Sequence, residues 1–156
     1  MNMKEKEFKR LFLETIDNID NPYHPLVWIN GNPEIGRKTC IGGFSEVNAK
    51  GAKVIIGENC DIASFVAINV ADSHHRCIGL DDKIHRRDIK IENNVFIGSH
   101  SVVLGGANIG HHTVISAGSV IRSVIIPPFS LVVGNEIKRG YYKDKCESMI
   151  NSQSTR

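Results

Sequence analysis

The sequence lacks the features that mark secreted, membrane-spanning or nucleic-acid-binding proteins. Its apolar runs are too short to span a bilayer, and the charged opening MNMKEKEFKRLFLETI has no apolar core of the kind a signal peptide needs. A formal net charge of only +2 over 156 residues indicates no general affinity for nucleic acid. The length suffices for one domain with a core of its own, and we expect a cytoplasmic protein.

The sequence also has no closely spaced pair of cysteines and few aromatic residues. The chain has four cysteines: Cys40, Cys60, Cys77 and Cys146. They lie far apart with no CxxC pair, which indicates reduced thiols and argues against a thiolate metal site. Aromatic residues make up 6% of the chain, whereas there are 14 glycines. This composition disfavours a conventional β-sandwich and points toward a repeat protein.

A six-residue repeat of aliphatic residues is the main feature that is present. The repeated positions are Ile35, Ile41, Val47, Ile56, Ile62, Ile68, Ile91, Ile97, Val103, Ile109, Ile115 and Ile121, and the frame continues to Pro127 and Val133. Two interruptions break it, a slip of three residues near Lys53–Ile55 and a longer stretch after Ile68. A period of six fits neither a helix nor a simple strand alternation.

Each repeat is interpreted as a short strand and a turn, with the aliphatic side chain pointing inward. The residue four positions later is small or β-branched from Val95 to Ser119, as a tight interior requires. Three repeats would close a triangular coil of roughly eighteen residues, and successive coils would stack about 4.8 Å apart as parallel sheets. The predicted fold class is therefore all-β, a parallel β-helix of about five coils.

The ends of such a β-helix need caps, because each coil buries its interior only against its neighbours. An amphipathic helix is predicted over about residues 3–18, and it would cover the first coil or a neighbouring chain. Its apolar positions are Phe8, Leu11, Phe12, Ile16 and Ile19. The predicted organisation is 1–30 for the helix and its connection, 31–139 for the β-helix, and 140–156 for a C-terminal tail.

The longer interruption is rich in histidine. The stretch INVADSHHRCIGLDDKIHRRDIKI, from Ile68 to Ile91, contains His74, His75 and His85. Residues 73–88 are predicted to form a loop that leaves the β-helix. A coil interior has little room for a titratable side chain, so this loop is where such a group can meet a substrate.

The stretch NVFIGSHSVVLGGANIGHHTVISAGSVI, residues 94–121, resembles the hexapeptide-repeat acyltransferases, whose fold is a left-handed β-helix. Within that superfamily the chain is most similar to sugar acetyltransferases of the galactoside and maltose type, over about Ile35 to Arg139. The resemblance implies an acetyl-CoA-dependent O-acetyltransferase acting on a sugar or sugar derivative. It also implies a homotrimer with active sites between adjacent subunits and a histidine as general base.

The resemblance also assigns residues to the site. The base of the family lies where a coil ends and a loop leaves, which implies His74 as first choice and His75 as second. An acidic partner should orient the base, and Asp72 is the candidate close in sequence, with an acid from another coil equally open. Pantetheine contacts and an oxyanion donor map to Gly98, Ser99, Ser116, Ala117 and Gly118. The segment GNEIKR places Lys138 and Arg139 near the CoA phosphates, although Glu136 stands where the family has proline. His85 is a candidate for contacting an anionic acceptor or a CoA phosphate. Phe96 is a second candidate for binding the substrate, and because it replaces a tryptophan of the galactoside-type enzymes, the acceptor pocket or the CoA contacts need not match theirs.

Other functions stay open at this point. The same cleft could acetylate the amino group of a nucleotide-linked amino sugar instead of a hydroxyl. Zinc enzymes of the γ-carbonic-anhydrase type share the fold, but their histidine followed by Gly-Cys is missing here, and no metal is expected. A non-catalytic β-helix scaffold is the remaining class, and it would leave the histidine-bearing loop without a purpose.

Overall fold

The computed structural model describes residues 2–17, 23 and 26–153. Helix α1 spans Met3–Asp17, which confirms the predicted N-terminal helix; its last predicted residue and Ile19 lie outside the described part. Phe8 and Phe12 remain 70% and 38% exposed. These two side chains therefore do not cover the first coil within one chain, and the covering of a neighbouring chain stays a prediction.

The strands, numbered along the chain, form three sheets that run the length of a parallel β-solenoid. The first sheet contains β1 (Trp28–Asn30), β4 (Glu46–Asn48), β7 (Ala67–Asn69), β12 (Val102–Leu104) and β15 (Val120–Ile121). The second contains β2 (Glu34–Ile35), β5 (Val54–Ile56), β10 (Ile89–Ile91), β13 (Asn108–Ile109) and β16 (Ile125–Ile126). The third contains β3 (Cys40–Ile41), β6 (Asp61–Ile62), β11 (Phe96–Ile97), β14 (Val114–Ile115), β17 (Leu131–Val133) and β18 (Glu136–Lys138). The solenoid has about five turns and matches the predicted left-handed β-helix.

The repeated aliphatic residues form ladders along the inside of the coils. Ile91 pairs with Ile109, eighteen positions later, so the regular coil has the predicted length. Ile35 pairs with Ile56 across a coil of 21 residues, which absorbs the three-residue slip in a turn before β5. Ile41, Ile97 and Ile115 are fully buried. The hydrophobic core is therefore a continuous column that no single coil could form alone.

The last coil differs from the predicted frame. Ile126 and Val132 point inward and are 1% exposed, whereas Val133 is 47% exposed, so the prediction of Pro127 and Val133 as inward residues was wrong. In each earlier coil, the residue after an inward position of the second sheet donates its N–H to the following coil, as Gly57 does to Ile91. Proline has no N–H. Pro127 is tolerated after Ile126 because β16 is the terminal strand of its sheet.

Small hydroxyl side chains are buried at the corners, and four of them, those of Thr39, Ser45, Ser101 and Thr113, bond to the following coil. The buried polar residues are Thr39, Ser45, Ser101, Thr113, Ser119 and Ser130. Thr39 Oγ1 donates to the carbonyl of Gly57 at 2.7 Å and accepts from the N–H of Cys60 at 3.0 Å. These hydrogen bonds satisfy backbone groups that the sharp corners leave outside the strand ladders.

The chain leaves the solenoid after β7 and forms a compact loop. Strand β8 (Ala71–Asp72) pairs antiparallel with β9 (His85–Arg86), and helix α2 (His74–Cys77) lies between them. The Arg86 guanidinium anchors the returning strand by donating from Nε to the carbonyl of Lys50 at 2.9 Å. The loop is thereby held at the corner between the first and second sheets.

At the C-terminal end, β18 folds back antiparallel on β17, and helix α3 spans Lys143–Gln153. The antiparallel strand ends the stack of parallel strands in the third sheet, because it occupies the edge to which a further coil would add. None of the helices in the described ranges is long and apolar enough to cross a bilayer.

Candidate functional site

A cleft of about 450 Å³ lies where the extruded loop meets the coils. The loop contributes both of its ends, and the solenoid contributes the corners that follow β12 and β15. The cleft is lined by Val70, Ala71, Asp72, His74, His85, Arg87, Leu104, Gly105, Arg122 and Ser123. Three of the predicted site residues, Asp72, His74 and His85, are thus brought to one surface.

His74 is oriented by Asp72. Its Nδ1 lies 2.5 Å from Asp72 Oδ1, and its backbone N–H donates to the same oxygen at 3.1 Å. The hydrogen bond from the His74 side chain holds the pKa of the Asp72 carboxyl below its ordinary value, so the acid is ionised at neutral pH. Among the described residues, Nε2 of His74 has no hydrogen-bond partner. This nitrogen is therefore available to a ligand in the cleft.

The other two loop histidines share a different carboxylate. Asp81 Oδ2 lies 2.8 Å from His85 Nε2 and 3.2 Å from His75 Nδ1, while Asp81 Oδ1 accepts the backbone N–H of Lys83 at 2.8 Å. The pKa of the Asp81 carboxyl lies below its ordinary value, mainly because it accepts the backbone N–H of Lys83 and also because the His85 side chain bonds to it. The three donor atoms of His75, Asp81 and His85 lie within 4.8 Å of one another, an arrangement that could hold a metal ion.

The histidine rings also touch one another. The ring centroids of His74 and His75 are 4.4 Å apart, and those of His75 and His85 are 4.9 Å apart, both edge to face. His75 lies between its two neighbours but is not among the residues that line the cleft in the described structure. The geometry therefore separates the two histidines that the sequence left as alternatives.

Two arginines line the cleft, Arg87 at the returning end of the loop and Arg122 on the solenoid. Arg87 follows β9 and Arg122 follows β15, and both side chains are exposed. Neither forms a salt bridge with any carboxylate in the part of the chain that the structure describes. Two unneutralised guanidinium groups favour an anionic ligand in this cleft.

The residues predicted to bind CoA lie at another corner. Gly98 and Ser99 precede β12, and Ser116, Ala117 and Gly118 precede β15, so they occupy the corner between the third and first sheets. The cleft with His74 lies at the far end of the same strands, on the order of 10 Å away for a strand of three residues. Within one chain, the two groups of predicted residues are not brought together.

The backbone amides at this corner are not equivalent. Gly98 donates its N–H to the carbonyl of Ile115 at 2.8 Å, and Gly118 donates to the carbonyl of Ser99 at 2.9 Å. The N–H of Ser99 has no partner among the described residues. A Cβ at Gly98 would lie 2.4 Å from the nitrogen of Ala117, so glycine is needed there for close packing of coils. Of the two predicted oxyanion donors, only Ser99 has a free amide.

The remaining predicted residues are spread over the third sheet. Lys138 pairs with Leu131 across the antiparallel strands, and it is exposed together with Arg139. Phe96 is 40% exposed on the outer face of β11, outside the lining of the cleft. Phe96 could therefore contact a ligand bound beside His74 only if Phe96 and His74 belong to different chains.

Two elements of the site were missed by the sequence analysis. Asp81 was not singled out, although it stands four residues before His85 and could have been noticed as a possible partner. Arg122 carries no local signal, because it is an ordinary outward position next to the inward Ile121. Its place in the cleft follows only from the stacking of the coils.

Comparison with known proteins finds a matching repeat profile and similar acetyltransferases. The profile described as bacterial transferase hexapeptide (six repeats) matches residues 88–123. The galactoside O-acetyltransferase of Escherichia coli (strain K12) is 35% identical over 109 residues, which cover 62% of this chain and 53% of that protein. The curated relatives are longer, and the chain spans about half of their length or less.

Solved structures resemble the chain over a larger share. A maltose O-acetyltransferase from Clostridium difficile 630 has a TM-score of 0.56 at 25% identity, covering 86% of this chain and 83% of that one. A hexapeptide-repeat acetyltransferase from Vibrio cholerae O1 biovar eltor, complexed with acetyl coenzyme A, has a TM-score of 0.62 at 24% identity, covering 84% and 73%. The repeat and the solenoid of this chain thus resemble those of hexapeptide-repeat acetyltransferases, in the sequence over residues 88–123 and in the fold over most of the chain.

Proposed function

We propose that this protein transfers an acetyl group from acetyl-CoA to a hydroxyl group of a sugar or sugar derivative, with His74 as the general base. The observation that carries the proposal is the pair of His74 and Asp72 at the wall of the cleft. Similarity to a galactoside O-acetyltransferase and a maltose O-acetyltransferase supports the reaction and the class of acceptor. The Vibrio cholerae protein of the same fold, which binds acetyl-CoA, supports the choice of acyl donor.

The proposed chemistry needs a base because a sugar hydroxyl is a weak nucleophile at neutral pH. Nε2 of His74 takes the hydroxyl proton while the oxygen forms a bond to the thioester carbonyl. The carbon–sulfur bond then breaks, and the proton passes from His74 to the departing CoA sulfur. The Asp72 carboxylate fixes the tautomer of His74 and stabilises the transient imidazolium through Nδ1. General-base catalysis of this kind contributes about 10²–10⁴-fold to the rate.

His74 is preferred over His75 on the basis of exposure to the cleft. His74 lines the cleft and has a free Nε2, whereas His75 directs Nδ1 toward Asp81 and lies behind its neighbour. His85 forms part of the wall, where its ring can contact the acceptor while Nε2 faces Asp81.

The proposed active site requires two chains. His74 and the predicted CoA residues lie at opposite ends of the first-sheet strands, so the base of one chain would meet the donor bound to its neighbour. We infer a homotrimer in which the pantetheine arm of CoA lies along the backbone of Gly98, Ser116, Ala117 and Gly118. The free N–H of Ser99 would stabilise the oxyanion, and Lys138 and Arg139 would face the CoA phosphates.

The positive charge of the cleft favours acceptors that carry a negative charge. Arg87 and Arg122 lack carboxylate partners within the described residues and flank the position that an acceptor would occupy. An acceptor with a negative charge, such as a nucleotide-linked sugar or an acidic sugar, would neutralise them. A neutral sugar would leave both arginines without a partner.

A screen of acceptors tests the proposal. Purified protein would be incubated with acetyl-CoA and a panel of neutral sugars, acidic sugars, nucleotide-linked sugars and nucleotide-linked amino sugars, while free thiol is followed. We expect thiol release with an anionic acceptor, a loss of about 10²–10⁴-fold in kcat for His74→Ala, and a smaller loss for His75→Ala. His112→Asn is the matched control, because His112 lies at a different corner in a left-handed conformation that asparagine tolerates.

Three results would contradict the proposal. Retention of near-wild-type kcat by His74→Ala would exclude it as the base, and absence of thiol release with every acceptor would exclude the transfer. A monomeric mass in solution would exclude the site between chains. Acetylation of the amino sugar alone would replace the hydroxyl acceptor with an amine and leave the site unchanged.

A further inference from the structure

The loop carries three donor atoms, on His75, Asp81 and His85, that take no part in the proton transfer proposed for His74. His75 comes from α2, Asp81 from the connection that follows it, and His85 from β9. We propose that His75 Nδ1, Asp81 Oδ2 and His85 Nε2 bind a divalent transition-metal ion of the Zn²⁺ class. This inference stands independently of the proposed acetyl transfer, because it rests on a separate carboxylate and a separate pair of imidazoles.

The spacing of the donor atoms fits such an ion. Zinc bonds to histidine nitrogen at about 2.0–2.1 Å and to carboxylate oxygen at about 2.0–2.2 Å, so two donors of a tetrahedral site lie about 3.3–3.5 Å apart. Asp81 Oδ2 is 3.2 Å from His75 Nδ1 and 2.8 Å from His85 Nε2. All three donors lie within 4.8 Å of one another. Small rotations of exposed side chains would bring them around one ion.

The surroundings of Asp81 match those of a metal ligand. Its second oxygen, Oδ1, accepts the backbone N–H of Lys83, which fixes the carboxylate and leaves Oδ2 facing both imidazoles. Such hydrogen bonds behind a ligand orient it toward the metal. Within the described residues, the carboxylate has no lysine or arginine partner that would compete with a cation.

The type of donor selects the class of metal. Imidazole nitrogen together with one carboxylate suits Zn²⁺, Co²⁺ and Ni²⁺, whereas Mg²⁺ and Ca²⁺ prefer shells made of oxygen. Three protein donors leave one coordination position for water. The ion would join α2 to β9 more firmly than the ring contact of His75 with His85 and the shared Asp81 carboxylate do.

The metal ion would affect the proposed active site by holding the histidines of the loop in place. The His75 ring contacts the ring of His74 edge to face, with centroids 4.4 Å apart, so fixing His75 restricts the movement of the proposed base. His75 and His85 would be positioning residues, and the ion would take no part in the transfer of the acetyl group.

Direct metal binding tests the inference. The full-length chain without a histidine tag would be stripped with a chelator and titrated with Zn²⁺, Co²⁺ and Mg²⁺ by calorimetry. Visible absorption would report the coordination of Co²⁺. We expect one Zn²⁺ or Co²⁺ per chain, a tetrahedral Co²⁺ spectrum and no Mg²⁺ binding. Each of His75→Asn, Asp81→Asn and His85→Asn should weaken the affinity by about tenfold or more.

His112→Asn is again the matched control, since it removes the other adjacent histidine pair, His111 and His112, whose Nδ1 atoms are 2.9 Å apart. It should bind the metal as the wild type does. Circular dichroism of the metal-free variants would confirm that each one folds. Absence of saturable binding by the wild type would overturn the inference. Wild-type affinity in all three loop variants, or loss of binding in His112→Asn, would overturn it as well.

Discussion

The coils and the extruded loop of this protein are built on opposite principles. The coils bury a column of aliphatic side chains, with Ile97 and Ile115 fully inaccessible, and every coil depends on its neighbours. Helix α2 of the loop has no buried residue and is held by pairs such as His74 with Asp72. Stability and the proposed chemistry therefore depend on different parts of the chain.

The location of ionisable groups follows the same division. The buried polar side chains of the coils, in the described ranges, are the neutral hydroxyls of serine and threonine. Burying a charge without a partner would be costly, so a solenoid interior cannot supply a base. The loop places its histidines at the surface, where His74 keeps 61% of its side chain exposed and can meet a substrate.

The largest expected effect on stability comes from the column. Ile97→Ala should lower the free energy of unfolding by about 2–5 kcal/mol, because it leaves a cavity that the stacked coils cannot fill. Ile78→Ala, at a 67% exposed position of the loop, should change it by no more than about 0.5 kcal/mol. Urea unfolding at a fixed protein concentration measures both. Equal losses of unfolding free energy in the two variants would contradict the conclusion that stability depends on the coils rather than on the loop.

The next effect concerns catalysis and should spare stability. Asp72→Asn should reduce kcat by about 10–100-fold with little change in KM, because a base that is held less firmly reacts less often in the right geometry. Asp82→Asn, an exposed residue of the same loop, is the control. Steady-state kinetics with the acceptor from the screen would decide, and a kcat within twofold of wild type would argue against the orienting role.

A smaller loss of stability is expected where hydroxyls join the coils. Thr39→Val should cost about 1–3 kcal/mol, since it removes the partner of the Gly57 carbonyl and the Cys60 N–H while keeping the shape of the side chain. Thr39→Ser retains the hydroxyl and should lose clearly less. If both variants unfold at the same urea concentration, the corner hydrogen bonds do not stabilise the stack.

The smallest effect is expected at the C-terminal end of the coils. Lys138→Ala should raise KM for acetyl-CoA by up to about fivefold, corresponding to about 0.2–1 kcal/mol for an exposed ionic contact, and leave kcat nearly unchanged. The difference should shrink at high ionic strength, because salt screens exposed charges. Lys4→Ala, on α1, serves as the control. An unchanged KM at low salt would remove Lys138 from the donor site.

Much of this architecture could be read from the sequence because the repeat is a local pattern. The spacing of Ile91, Ile97 and Val103 predicts strand, turn and inward face without knowledge of the other coils. The prediction of inward-facing positions was wrong after Ile121 because one corner is a residue shorter, and nothing in the local pattern marks that change. The position of the loop was clear for the same reason that the repeat was, since a regular pattern reveals its own interruption.

The coil, the break in it and the neighbouring pair Asp72 and His74 could be predicted from the sequence, because all three are set by residues close together along the chain. Only the tertiary structure brought Arg122 to the cleft, joined His75 and His85 through Asp81, and separated His74 from the predicted CoA residues by a strand. Stacking of the coils decides the place of Arg122 and the separation of His74 from the predicted CoA residues, since strand residues that pair across coils are 17 to 35 positions apart. The fold of the loop decides the contacts of Asp81 with His85 and His75, which are four and six positions away. Hydrogen bonding between coils likewise engages the amide of Gly98 and leaves that of Ser99 free.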